Sequence, residues 1–224
     1  MIRIRSLAFA LSLALATPLA AAADQDIEKV NGSIHAQAGQ QYGSLETVNG
    51  SINIDDGVGI GHAETVNGSI RGGNDVRSGD LETVNGAIHL GTGAQVGGLE
   101  TVNGGVFVDR GGRVGKGVTT VNGAIGLVGT DVASGLETVN GDITVGVGSH
   151  VHGGIHVEKP HNGWLSINFS KSKAPRIIVG PNAVVDGPLV FEREVKLYVH
   201  DSARIGSVTG ATAVRYSGTQ PPQD

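Results

Sequence analysis

Cysteine is absent from the sequence. That excludes disulfide staples, thiolate metal sites and the lipid-modified terminus of a bacterial lipoprotein. Aromatic residues are scarce, at 4% of 224 residues, with a single Trp. A core built without them must be narrow and aliphatic. Cationic residues are few as well: 16 Lys and Arg stand against 21 Asp and Glu. With no basic stripe, the chain is a poor nucleic-acid binder. Only one long apolar run occurs, near the start, and it is too short to span a membrane comfortably. Apolar residues do not recur at three and four, so helices are not expected. No Gly-x-Ser-x-Gly and no phosphate-cradling loop is present.

What is abundant is glycine, at 37 residues, and one tripeptide, Val-Asn-Gly. Its asparagines are Asn31, Asn49, Asn67, Asn85, Asn103, Asn122 and Asn140, spaced by 18 residues with one step of 19. A strict period of this length is the mark of a solenoid, whose units bury a continuous core only by stacking. A finer six-residue period runs inside it: Val96, Val102, Val108 and Val114, then Val121, Leu127, Ala133, Val139, Val145, Val151 and Val157. In Ile143-Thr144-Val145, Ile and Val face inward and Thr outward, because strand side chains alternate. Three hexads per repeat predict three short strands and three corners. The expected fold is an all-β, single-stranded triangular β-solenoid (β-helix) of about 18 residues per turn.

Glycine at the corners is expected to supply φ > 0, which Asn also tolerates. In register, the seven Asn residues would lie roughly 4.8 Å apart, close enough for their amides to bond as a ladder. Glu46, Glu64, Glu82, Glu100 and Glu137 form a second column, started by Glu28 and interrupted by Thr119. Its reading is a solvated face that keeps the turns soluble.

Taken in order, residues 1–23 read as a secretory signal peptide: Arg3 and Arg5, an apolar run from Leu7 to Leu15, and Ala21-Ala22-Ala23 before Asp24. Residues 24–157 are the regular array. Residues 158–175 break it as an irregular insertion containing Trp164, Lys171 and Lys173, the residues assigned to contact with a partner. From residue 176 the hexad frame returns with Val179, Val185, Phe191, Leu197 and Ala203, giving C-terminal turns and a cap to residue 216. Residues 217–224 are a polar, Pro-rich tail expected to be disordered.

Four histidines, His150, His152, His156 and His161, cluster in sequence. His150 and His152 flank the inward Val151 and so share an outer face, a spacing that can chelate a metal. No carboxylate stands at an obvious ligand spacing beside them. The expectation is therefore solvated surface histidine, with no metal site, no cofactor and no catalytic residue assigned.

The Glu-Thr-Val-Asn-Gly and Val-Asn-Gly-Ser-Ile units over about residues 27–145 resemble the repeats of an adhesin-type β-solenoid family of unknown function. Val96-Gly97-Gly98-Leu99, Val151-His152-Gly153-Gly154-Ile155 and Val185-Asp186-Gly187-Pro188-Leu189 are similar to segments of bactofilins. These are polymer-forming bacterial cytoskeletal proteins. That likeness implies a right-handed triangular β-helix and end-to-end assembly. Bactofilins lack a signal peptide, so the start of this chain departs from their pattern. His200 is the one counterpart to the catalytic histidine of hexapeptide acyltransferases, but an exported protein would not meet acyl-CoA. The functional expectation is a non-enzymatic, exported, periplasmic or secreted envelope protein with a structural, self-associating or adhesin-like role. Its partners would be itself or envelope glycans. The second reading is a glycan- or ligand-binding module using the Trp164 loop.

Overall fold

The structure, a computed structural model, describes residues 25–160 and 173–222. The signal-peptide segment, Trp164, Lys171 and His161 lie outside the described residues. Every strand pairing is parallel, and the pairings stack the chain into ten rungs of a β-solenoid. Among the described residues there is no helix. The first face is a sheet of ten strands, from Ile34–Ala36 through Ile143–Val145 to Ala213–Tyr216. The second and third faces are joined into a 17-stranded sheet because Gln41–Asn49 and Gly59–Asn67 run continuously around one corner.

Alternation within three-residue strands sets the core. Ile52, Ile70, Ile88, Val106, Ile125 and Ile143 stack on the first face, and Leu81, Leu99, Val118, Leu136 and Ile155 on the third. All are buried, each stabilising the stack by about 1.5–3 kcal/mol relative to exposure. Ile143 and Val145 point inward with Thr144 outward, as alternation requires.

The hexad frame misplaces one column, and at one rung it picks exposed Ala133 where Val132 is the buried residue. Val102, Val121 and Val139 were expected inside, yet they are only half-buried, as are Val48 and Val66 in the same column. The inward residue is the preceding threonine: Thr47, Thr65, Thr83, Thr101, Thr120 and Thr138 are all buried. The buried apolar residue two positions earlier, Leu in four of the six, anchors the strand, and alternation then turns Thr inward. Five of these hydroxyls donate to a glycine carbonyl of the Val-Asn-Gly corner in the rung before, at 2.8–3.1 Å. Thr138 instead accepts from the Gly141 N–H at 3.1 Å. A buried hydroxyl is tolerated because it is bonded.

The glycine of Val-Asn-Gly is also needed for a different reason than expected. Of those seven, only Gly32 has a positive φ. At Gly104 an added Cβ would sit 1.8 Å from the carbonyl oxygen of Gly86, one rung away. The corner therefore demands glycine because stacked backbones approach too closely for any side chain. Positive φ belongs to another corner, at Gly39, Gly57, Gly93, Gly111, Gly129 and Gly148, where Asp75 and Asn182 also adopt it.

The extra residue of the 19-residue step falls between Val114 and Val118, which pair with Val96 and Leu99. The chain bulges there, and Lys116 reaches Asp80 at 2.7 Å. Strands run in register to Val157 and resume at Arg176. The resumption is pinned by Asp142 Oδ1, which accepts from the Arg176 N–H at 2.7 Å. The tail expected to be disordered has one anchor among the described residues, the Pro222 carbonyl accepting from Arg176 Nη2 at 3.0 Å.

Both terminal rungs put a cation into a core column. Lys29 occupies the position of Thr47, and Arg215 that of Val199. Their heads turn back to carbonyls, Lys29 to Ser33 and Arg215 to His200. A charged group at a core position makes the next rung costly to add, which is how an open sheet end is blunted.

Candidate functional site

Three outer surfaces of the rod carry side chains able to do something chemical. The first is the Asn corner. Each Nδ2 donates to the Oδ1 of the Asn one rung earlier, from Asn140 down to Asn31, at 2.9–3.0 Å. The ladder includes all seven residues named from sequence. Its last acceptor, Asn140 Oδ1, is taken by the guanidinium of Arg193, which also bonds the Val139 carbonyl at 3.0 Å. Lys173 is exposed beside this end, lining a shallow recess of about 420 Å³ with Asn122, Asn140 and Asp142. The structure thus places Lys173 at the ladder's end and leaves its two companions undescribed.

The second surface is the acidic column on the third face. Glu28, Glu46, Glu64, Glu82 and Glu100 are paired rung to rung, followed by Thr119, Glu137 and His156. Burial pushes the Glu64 carboxyl up from its ordinary value, and the carboxylates of Glu82 and Glu46 push it further. Beside the column, burial also pushes Asp80 up. The Lys116 ammonium and the Gly98 N–H, both bonded to it, more than reverse this and leave it low. His62 stands 3.3 Å from Glu46.

The third surface is the second face. Its outward column reads Gln41, Gly59, Arg77, Gln95, Arg113, Asp131, His150, Val184 and Arg204. Over the early rungs this forms a groove of about 680 Å³, edged by Gln41, Arg77, Gln95 and Arg113 and floored by Gly59, Gly61, Gly97 and Gly115. The glycines leave the backbone bare, so planar amide and guanidinium groups stand over a flat floor.

Further along the same face the histidines meet carboxylates. His150 Nε2 lies 2.7 Å from Asp186 Oδ2, and His152 Nε2 lies 3.1 Å from Asp131 Oδ2. His152 Nδ1 is 3.5 Å from the same Asp186 oxygen, and the two rings face each other at 3.9 Å between centroids. The expectation that no carboxylate stands beside these histidines is corrected. The partners are 36 and 21 residues away in sequence, yet each sits on an adjacent rung. Asp131 could have been found from the repeat, being one 19-residue turn before His150; Asp186 was hidden behind the insertion. Among the described residues, the other histidines each have one carboxylate or none: His35 pairs Asp55 at 2.7 Å, and His156 pairs Glu192 at 3.3 Å. The imidazoles of His35 and His156 hold Asp55 and Glu192 below the usual carboxylate range. His200 bonds Ser202 at 2.8 Å and lies edge-on to Tyr216.

No family model, no curated protein and no solved structure matches this chain.

Proposed function

We propose that this protein is a non-enzymatic, exported envelope component, a rigid rod that associates side by side. Export is supported by Arg3 and Arg5, the apolar run and the alanines before Asp24. The observation that carries the mode of assembly is a match of charge and pitch between two faces. Arg77 and Arg113 stand two rungs apart in the groove, roughly 9.6 Å. Glu46, Glu64, Glu82 and Glu100 stand on successive rungs of the next face, roughly 4.8 Å apart. One rod's acidic column therefore fits the basic groove of a second in a register set by the shared rung spacing. Cations brought there would offset the repulsion from Glu82 and Glu46 that adds to burial in raising Glu64. Such a contact joins different patches, so it extends into rows instead of closing into a dimer. The cations at Lys29 and Arg215 oppose end-to-end growth of the bactofilin kind.

Negative-stain imaging and size-exclusion chromatography of residues 24–224, over a concentration series at low and high salt, test this. Rods of one length, roughly 45 Å for ten rungs, should line up side by side at low salt. They should separate at high salt, where the Debye length shrinks. The double variant Arg77→Glu/Arg113→Glu should stay single throughout. Growth by length alone would overturn the proposal.

A second reading is favoured by the same groove. Its alternating Gln and Arg groups over a glycine floor suit an acidic envelope glycan, in an adhesin-like role. Single rods at every concentration, together with retention of a polyuronate by the wild type and its loss in the Arg77/Arg113 variant, would select that reading.

A further inference from the structure

We propose that Asp131, His150, His152 and Asp186 form a binding site for one divalent first-row transition-metal ion, of which Zn²⁺ is the type.

The donor set is two imidazoles and two carboxylates, which suits Zn²⁺, Co²⁺, Ni²⁺ or Cu²⁺ better than the all-oxygen shells that Ca²⁺ and Mg²⁺ take. Two carboxylates also balance the charge of a divalent ion. One ligand atom each from Asp131, His150 and His152 can be chosen so that all lie within 4.8 Å of one another. In a tetrahedral site with bonds of about 2.0–2.1 Å, ligand atoms stand roughly 3.3 Å apart. The site therefore needs only small side-chain rotations to close. Those side chains are partly exposed and free to make them; His152 and Asp131 are 45% and 50% exposed.

The backbone beneath does not need to move. Each of the four residues neighbours an inward valine, Val132, Val151 or Val185, and all three are buried to 1% or less. The strands that carry them are hydrogen-bonded in register, so three successive rungs present the ligands at a fixed pitch. The ligands also cross over. His150 stacks on Asp131 and Val184 by backbone register but bonds Asp186, while His152 bonds Asp131. This diagonal arrangement brings the heads of Asp131, His150 and His152 together, with Asp186 standing against both rings. Elsewhere among the described residues, no comparable group of three or more His, Asp or Glu donors comes together.

The position suggests the consequence of binding. Asp131, His150 and His152 belong to the regular array, and Asp186 to the C-terminal section beyond the 158–175 insertion. An ion held here would tie the two sections together, stabilising the folded form by mass action.

The test uses tag-free protein from residue 24 onward, stripped with EDTA and dialysed. Co²⁺ titration followed by visible absorption, and Zn²⁺ uptake against a chromogenic chelator, should each give one equivalent. Affinity should weaken as the pH falls, since protons compete for the imidazole nitrogens. His152→Gln and His150→Gln should each weaken Zn²⁺ uptake at least tenfold, and Asp131→Asn and Asp186→Asn several-fold. His35→Gln, at a site with one ring and one carboxylate, should change nothing. Circular dichroism confirms that each variant keeps its strands. Zn²⁺ should raise the unfolding midpoint of the wild type and not of His152→Gln. Failure to take up Zn²⁺ saturably, or uptake that His152→Gln leaves unaltered, would overturn the proposal.

Discussion

The regular array and the C-terminal section use the same three-sided path, yet they obey different rules. Up to Val157 the rung length is 18 or 19 residues. Beyond Arg176 it is 20 from Ile177 to Leu197, 16 from Leu197 to Ala213, and 19 from Leu189 to Val208. Both sections bury an aliphatic column, so the core does not demand the strict period. What differs is the polar lining. The array has the Asn ladder, the inward Thr hydroxyls and the bare glycine corner. The later rungs bring in the buried aromatics Phe191 and Tyr198, and the ladder stops at Arg193. Directional hydrogen bonds tolerate little mismatch, whereas hydrophobic contact adapts. The strict repeat is the signature of the hydrogen bonds.

That contrast can be broken most severely at the crowded corner. Gly104→Ala should destabilise by about 3 kcal/mol or more, because its Cβ cannot fit beside the Gly86 carbonyl. Gly180→Ala in the later section meets its nearest atom at 3.2 Å and should cost about 1 kcal/mol or less. Urea unfolding midpoints compare the two. Next comes the buried hydroxyl. Thr101→Val keeps the shape but strands the Gly86 carbonyl, for a loss of about 1–3 kcal/mol; Thr101→Ser should recover much of it. A smaller effect is expected from the ladder itself. Arg193→Gln removes the charged donor from Asn140 and should cost about 1–2 kcal/mol. Hydrogen exchange should show the loss concentrated near Asn140 and spare the rungs around Asn49.

The smallest effect concerns the acidic column. A carboxyl raised above its ordinary value of 4.5 holds its proton more tightly in the folded chain. Its favourable contribution is complete below that value and is lost as the pH rises through the folded one. Glu64→Gln should therefore stabilise at about pH 7 and have no such gain at about pH 3. With Glu64 half-buried and so partly screened by solvent, the gain should be under about 0.5 kcal/mol. Thermal midpoints at the two pH values would show it.

The solenoid, its period and the Asn ladder are legible in the sequence because each depends on spacing alone. Val-Asn-Gly recurs where the corner recurs, and a period of 18 is one turn. The inward threonine was not legible from the hexads, because Val102 is the more hydrophobic neighbour of Thr101 and periodicity ranks it first. Resolving them requires knowing that Leu99 anchors the strand, after which alternation decides. The role of the corner glycine was also hidden. Composition suggests φ > 0, while the close approach of Gly104 to Gly86 exists only once rungs are stacked. The second-face cluster was half legible. His150 and His152 announce a shared face, but their carboxylates arrive from neighbouring rungs, one of them from beyond an insertion whose length no periodicity can supply.

The ladder has a further consequence. All six amide bonds donate in the same direction, from each asparagine toward the one before it. Their dipoles add, so that edge of the rod has an electrical head and tail, as a helix does. The oxygen end is met by the Arg193 cation, and the amino end opens at Asn31 toward the start of the chain. Two rods lying alongside one another are thus not equivalent when parallel and when reversed. Any row they form has a built-in arrow.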